Sequence, residues 1–325
     1  MSLSTVAAPR TFNLAQKEPE QRAEVLLLSS SLLTDRMYLH TRLISELQKS
    51  ARVRIWATSL QNPQLRDLWR GCPASVESFP EVHPYKEFPY THLRRLNEFM
   101  WDFRQRPPAR LSAMRHIRNK EHKPYIRALK VPARGLAVMK LERILENYVE
   151  NLLRDYPRSP EALDRLRAKR PDLILTAGPF QFEQPAIVAV TQKLGIPTLA
   201  LIPSWDNLST KGRMVFKYDG YVVWSEQTKL ELREAYPYTR DVPVYVVGAP
   251  QFDIFFDNQF RRSREEFLTA SGLRPEIPLI VYALGSPKLL REHHGALYLA
   301  ERIEKGDLGD VQMLVFLTQY TTTIN

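Results

Sequence analysis

The chain has one cysteine, Cys72, in 325 residues. That excludes an internal disulfide framework, fits a reducing cytoplasm and leaves thiol-nucleophile chemistry without its usual companions. Long apolar runs are also missing. The longest, Val25–Leu28 and Thr198–Pro203, are strand-sized, far short of the roughly 18 unbroken apolar residues of a membrane helix. Met1 to Glu24 show no basic start followed by an apolar block, so no secretory signal is expected. There is no G-x-G-x-x-G fingerprint, no G-x-x-x-x-G-K-[ST] loop and no G-x-S-x-G elbow. His293 and His294 are adjacent, so they cannot share a helix face, and no Cys/His set joins them at ligand spacing; no metal site is expected. Cys72 reads as structural.

Positive charge is in excess. Lys and Arg number 46 against 36 Asp and Glu, a net charge of +10 that favours acidic partners. Apolar residues at 44% and charged residues at 25% are otherwise ordinary for a globular chain. Much of the excess is local: Tyr90 to Arg134 carry twelve Lys/Arg and three acids, with Phe99, Trp101, Phe103 and Tyr125 among them. Three readings fit this tract. Solvated helix faces over buried aromatics are favoured slightly; contact with an anionic membrane or polyanionic acceptor through 90–134 is the second. Nucleic-acid binding is the third, and no nucleic-acid motif supports it.

Apolar periodicity organises the chain. Glu24–Ser30, Arg52–Ser59 and the run from Ala74 read as strands, with a helix over Asp35–Ser50 and a short one ending at Gly71 between them. From Tyr85 to about Tyr156 only helical patterns occur, Gly135–Pro157 being the strongest. Ser159 and Pro160 read as N-cap and first turn of the next helix. Strands then alternate with helices: Pro171–Gly178, Ile196–Ser204, Tyr218–Glu226 and Val242–Pro250. Strands apolar on both faces and separated by helices predict a doubly wound α/β parallel sheet. The expected organisation is a flexible segment over 1–23, a Rossmann-like domain over 24–250 with a helical insertion at about 85–170, and a helical linker over 251–277. A second α/β unit starts at 278.

In an open parallel sheet, ligands bind beyond the carboxyl ends of the strands. That rule selects the loops "SSSLLTDR", "TAGPFQFEQP", "IPSWDNLSTKG", "VVWSE" and "VVGAPQFD". In the third, Trp205 can stack on a ring, Asp206 can accept a proton and Lys211 can pair with a phosphate. The alternative is a structural turn: Ser204 and Asp206 cap amides, Trp205 plugs the core and Gly212 permits the bend. Both stand at this stage. Gly178, before a helix near Glu183, suits an anion or a hydroxyl. In "ALGSPKLLREHHG", Gly285 and Ser286 follow a strand, and Lys288 and Arg291 lie near a helix start, so backbone amides and cations could hold a diphosphate there.

On the residues "SWDNLSTKG" (204–212), "YVVWSEQTKLELRE" (221–234) and "VVGAPQFD" (246–253), the stretch Pro171 to Asp253 resembles bacterial glycosyltransferase-like proteins of the GT-B superfamily. This is the UDP-glycosyltransferase/glycogen phosphorylase-like type, near the surface-polysaccharide proteins related to CDP-glycerol glycerophosphotransferases. The resemblance covers about the first 285 residues. It implies two Rossmann-like domains facing a cleft, the first holding a carbohydrate or lipid-linked acceptor and the second a nucleotide sugar or CDP-glycerol-like donor. It implies transfer without a metal or resident cofactor, in the cytoplasm or at the inner face of the membrane. Asp206 becomes the candidate catalytic base, being the one carboxylate inside its motif. Trp205, Asn207, Lys211, Gly178, Glu226, Gln251 and Asp253 become candidate substrate contacts, and Gly285, Ser286 and Lys288 candidate donor-phosphate contacts. In the family the donor domain continues with further strands, whereas 48 residues run from Pro278 to Asn325. A truncated donor domain, with reduced or lost activity, is therefore expected. A nucleotide-sugar epimerase of the same fold and a non-catalytic carbohydrate-binding or assembly protein are the alternatives.

Overall fold

The computed structural model describes residues 22–82, 89–113, 124–155, 159–181, 184–258, 261–285 and 292–316. The expected flexible segment 1–23 lies outside these as far as residue 21. So do Ser286 and Lys288 of the candidate phosphate loop and residues 114–123 of the basic tract. The chain divides into two compact units, Met1–Phe256 and Asp257–Asn325.

The first unit is built on seven parallel strands. They are β1 (Ala23–Ser29), β2 (Ala51–Ala57), β3 (Ser75–Ser78), β4 (Leu173–Thr176), β5 (Thr198–Leu201), β6 (Gly220–Val223) and β7 (Val244–Val246). Their spatial order is β3-β2-β1-β4-β5-β6-β7. The chain winds outward from β1 in one direction, returns, and winds outward from β4 in the other. This is the doubly wound, Rossmann-like topology, and its switch point lies between β1 and β4. Register is fixed on both sides of β1, with Leu27 opposite Ile55 and Leu175.

Alternation along the strands explains why the sheet must be covered twice. Val25, Leu27, Val53, Ile55, Leu173 and Leu175 share a core with Met37, Tyr38 and Ile44 of the helices Leu32–Leu39 and Leu43–Gln48. The intervening residues Leu26, Leu28, Trp56 and Ile174 pack instead on Ala162, Leu166, Ile187 and Val190 of the helices Pro160–Ala168 and Gln184–Lys193. Burying each such leucine or isoleucine contributes about 1.5–3 kcal/mol. Ser159 caps its helix through a bond to the Ala162 amide, with Pro160 in the first turn.

Two helices expected to be continuous are each broken in two. Asp35–Ser50 divides at His40–Arg42, where the Thr41 hydroxyl donates to the Met37 carbonyl and accepts from the Leu43 amide. That hydroxyl closes one helix and opens the next. Gly135–Pro157 divides into Lys130–Val138 and Glu142–Asp155. Lys140 takes a left-handed φ of 56°, and the amide of Leu141 reaches back to the Leu136 carbonyl at 3.1 Å. This is a Schellman-type ending, which apolar periodicity alone does not reveal. The short helix expected to end at Gly71 is instead a pair of 3-10 turns, Thr58–Gln61 and Arg66–Trp69, and Gly71 has a φ of 85°.

The insertion is led by the Tyr90–Gln105 helix, whose Phe99, Met100 and Trp101 are buried. Trp101 stacks on Tyr236 with ring centroids 5.9 Å apart. In the second unit, β8 (Leu279–Ala283) and β9 (Gln312–Phe316) pair in parallel, and the His293–Glu304 helix lies between them in sequence. The helix Arg264–Ala270 opens on a capping box made by Ser263 and Glu266.

Candidate functional site

The carboxyl ends of β1, β4 and β5 surround a cleft of about 580 Å³ at the switch point. The segment after β1 supplies Ser31, Leu33 and Thr34; the loop after β4 supplies Ala177, Gly178, Phe180 and Gln181. The loop after β5 supplies Pro203, Ser204, Asp206, Asn207 and Lys211. Hydroxyls, amides, one carboxylate and one ammonium face a floor softened by Leu33, Phe180 and Pro203. Such a lining suits a polyhydroxylated ligand with an apolar ring face.

The loop after β5 is organised around Asp206. Its Oδ1 accepts from Ser204 Oγ at 2.5 Å and Asn207 Nδ2 at 3.2 Å, and its Oδ2 accepts from Thr210 Oγ1 at 3.0 Å. The backbone carbonyl of Asp206 also receives the hydroxyls of Ser209 and Thr210. Thr210 has one hydroxyl proton, shared between that carbonyl and Oδ2, so two full donors and this shared one leave the carboxylate, with its about four lone-pair sites, capacity for at least one more. Asp206 thus both builds the turn and keeps an acceptor for a ligand hydroxyl. It makes no side-chain bond to a backbone amide at the helix start, contrary to the capping alternative. Lys211 is exposed and makes no ion pair among the described residues.

The loop after β4 is held from within. The buried Gln184 amide donates to Ser30 Oγ at 2.6 Å and accepts from the Gly178 amide at 3.0 Å and from the Thr176 hydroxyl. Ser30 also bonds Gln181. A Cβ on Gly178 would lie 2.5 Å from Gln181 Oε1 and 2.6 Å from Gln184 Nε2, so any larger residue would force both glutamine side chains to move. Gly178 lines the cleft, but its N–H is engaged by Gln184, and it therefore shapes the wall and does not present a free donor to an anion.

The other candidates lie elsewhere. Trp205 is 67% exposed, which overturns the expectation of a core plug, and it stands outside the cleft lining. Gly212 has no left-handed φ; a Cβ there would press on Glu98, with Oε1 at 3.2 Å, so the position is tight without requiring a glycine conformation. Glu226 opens the helix Glu226–Ala235, exposed and paired with Lys229 at 3.2 Å. Gln251 and Asp253 sit half-buried in the 3-10 turn Pro250–Phe256, outside the cleft lining. Gly285 belongs to the second unit, where its amide donates to Glu292 Oε2 at 2.5 Å. Among the described residues no three His, Cys, Asp or Glu side chains gather as metal ligands would.

A charge cluster lies behind the cleft. Glu98 is ion-paired with Arg95 at 2.7 Å, Arg94 at 3.6 Å and Arg110 at 3.7 Å, and Arg110 also pairs with Asp102. Burial pushes the Glu98 carboxyl upward, but Arg95, Arg94 and Arg110 together hold it below the usual carboxylate range. Arg94 and Arg110 are each 1% exposed, so these two cations of the basic tract are internal. Asp35, behind the segment after β1, goes the other way. Burial raises its carboxyl against the lowering hydrogen bonds of Ser29 and Ser59.

Of the five loops that the strand-end rule selects, three line this cleft, and Ser31, Thr34, Phe180 and Gln181 were not singled out within them. The strand-end rule is the signal that reaches those residues. Gln184 carries no local signal, because a helical glutamine becomes a hub only through tertiary contacts.

No family model matches the chain, and no curated protein matches it significantly. Some solved structures show a distant likeness to it, at TM-scores under 0.5. Similar ones include S. aureus MnaA with UDP (TM-score 0.47, 8% identity, 92% of this chain and 64% of that one). Another is the UDP-GlcNAc 2-epimerase of Neisseria meningitidis bound to UDP-GlcNAc (0.44, 12%, 92% and 73%). A third is Glycyrrhiza uralensis UGT73P12 with glycyrrhetinic acid 3-O-monoglucuronide (0.42, 13%, 92% and 69%). The chain thus spans just under two thirds of the length of the first of them. No helix among the described residues is long and apolar enough to cross a membrane.

Proposed function

We propose that the chain is a GT-B-type, metal-independent transferase. In this reading it moves a sugar or glycerophosphate from a nucleotide-activated donor to a carbohydrate acceptor, and the first unit holds the acceptor. The narrower resemblance to CDP-glycerol glycerophosphotransferase-related proteins suggests a surface-carbohydrate acceptor and a peripheral position at the membrane's inner face. The observation that carries the reading is Asp206. A carboxylate at the switch-point cleft, held by three loop donors, retains an acceptor position among hydroxyl- and amide-bearing neighbours.

In the step this geometry serves, an acceptor hydroxyl donates to Asp206. As the hydroxyl oxygen forms its bond to the donor's electrophilic carbon or phosphorus, its proton passes to the carboxylate. The bond to the nucleotide phosphate breaks, and the leaving group departs with the electron pair. In the same reading, residues 24–250 form the acceptor domain, and 278 onward begins the donor domain, with Gly285, Ser286 and Lys288 near the phosphates.

Calorimetric titration with UDP-glucose, UDP-N-acetylglucosamine, UDP-galactose and CDP-glycerol tests the donor class. Binding heat is expected from at least one of them below about 1 mM. No heat from any of them contradicts the reading.

A further inference from the structure

The buried cluster behind the cleft touches both facing loops. Arg94 Nη2 donates to the Gln181 carbonyl at 3.2 Å, in the loop after β4. Gly212 closes the loop after β5 and runs so near the cluster that a Cβ would lie 3.2 Å from Glu98 Oε1 and 3.4 Å from Arg110 Nη1. Arg110 belongs to the helix Pro108–Ala113, which packs on the Asn207–Thr210 turn. The next residue, Arg213, is 4% exposed, bonds Asn97 Oδ1 at 3.0 Å and pairs with Glu146. One carboxylate, Glu98 at 4% exposure, therefore pairs with Arg94, which holds one wall, and with Arg110, whose helix packs on the other, and it lies close against Gly212 there.

A buried carboxylate among guanidiniums is a stiff element. Removing or displacing one member leaves the rest uncompensated, so the group moves as a unit or not at all. We propose that Glu98 is a positioning residue that, with Arg94, braces the loop after β4 to the loop after β5, so that the two walls of the cleft shift together. The functional meaning of this brace rests on the cleft being the substrate site. Its physical existence does not.

The test is reciprocal perturbation of the ligand-free chain, read by site-resolved amide exchange and by the fluorine resonance of 5-fluorotryptophan at Trp205. Gly212→Ala presses a methyl group on Glu98 and Arg110 from the loop after β5 and touches nothing in the loop after β4, yet exchange at the Gly178 and Gln181 amides is expected to rise several-fold, about three to ten times. Arg94→Lys keeps the charge but loses the fork that reaches Gln181. It is expected to shift the Trp205 resonance and to speed exchange at Lys211 by a similar factor. The double variant is expected to be non-additive, because both changes act on one unit. The Leu27 amide in β1 reports global stability; if Arg94→Lys unfolds the chain, Gly212→Ala alone decides the matter. Each variant disturbing only its own loop, or strict additivity, overturns the proposal. No ligand enters these readouts, so their failure leaves the transferase reading to be judged separately by the calorimetry.

Discussion

At the scale of single residues, the candidates separate by what their side chains already do. Trp205 is 67% exposed, so Trp205→Ala is expected to leave stability within about 0.5 kcal/mol and, the ring standing outside the cleft lining, to leave ligand binding there nearly unchanged. Denaturant unfolding checks the first part; a loss above about 2 kcal/mol would mean the ring is core after all. Asp35 and Glu98 make opposite contributions to the pH dependence of stability. Glu98 has a folded-state pKa below its unfolded value, so its contribution is present above the unfolded carboxylate range and is lost as pH falls through the folded value. Asp35 has a folded-state pKa above its unfolded value, so the folded state favours its protonated form. Its penalty is present at neutral pH and is relieved as pH falls through that raised value. Asp35→Asn is therefore expected to stabilise the chain at pH 7, with the gain shrinking on mild acidification; a gain independent of pH would contradict this assignment. Asp206 and Lys211 were legible in the sequence because their loop leaves an apolar strand. Gln184 and Glu98 were not: Gln184 meets Ser30 far along the chain, and Glu98, though Arg94 and Arg95 stand one helical turn away, meets Arg110 and the Gly212 backbone only through the fold.

At the scale of elements, periodicity identifies strands and helices but not their interruptions. The alternation of Val25, Leu26, Leu27 and Leu28 between two cores is readable directly as a strand covered on both faces. The joints at Thr41 and Lys140 are not readable this way, because apolar spacing continues across both. A hydroxyl that bonds two helices and a lysine in a left-handed conformation are backbone events with little sequence trace. Lys140 tests this account: a non-glycine residue there carries a strain of about 1 kcal/mol. Lys140→Gly is accordingly expected to raise the unfolding free energy by about 0.5–1 kcal/mol. Destabilisation by the same amount would show that the Lys130–Val138 and Glu142–Asp155 helices are joined by something other than a Schellman-type turn.

At the scale of the whole molecule, the sheet order determines where chemistry is possible. Strands wind outward in both directions from the β1–β4 boundary, so the loops at their carboxyl ends part there and leave a cleft open. Three loops distant in sequence meet in it, which is why a motif legible as "SWDNLSTKG" became a site only once Ser31, Gly178 and Gln181 stood opposite. The most direct test of the central claim is amide chemical-shift mapping of the deuterated chain during titration with a set of neutral and phosphorylated oligosaccharides. The account predicts that a binding saccharide moves Ser31, Gly178, Asn207 and Lys211 together, and that Asp206→Asn weakens the titration about tenfold or more. Shifts confined to other surfaces, or binding untouched by the loss of the Asp206 carboxylate, would contradict it.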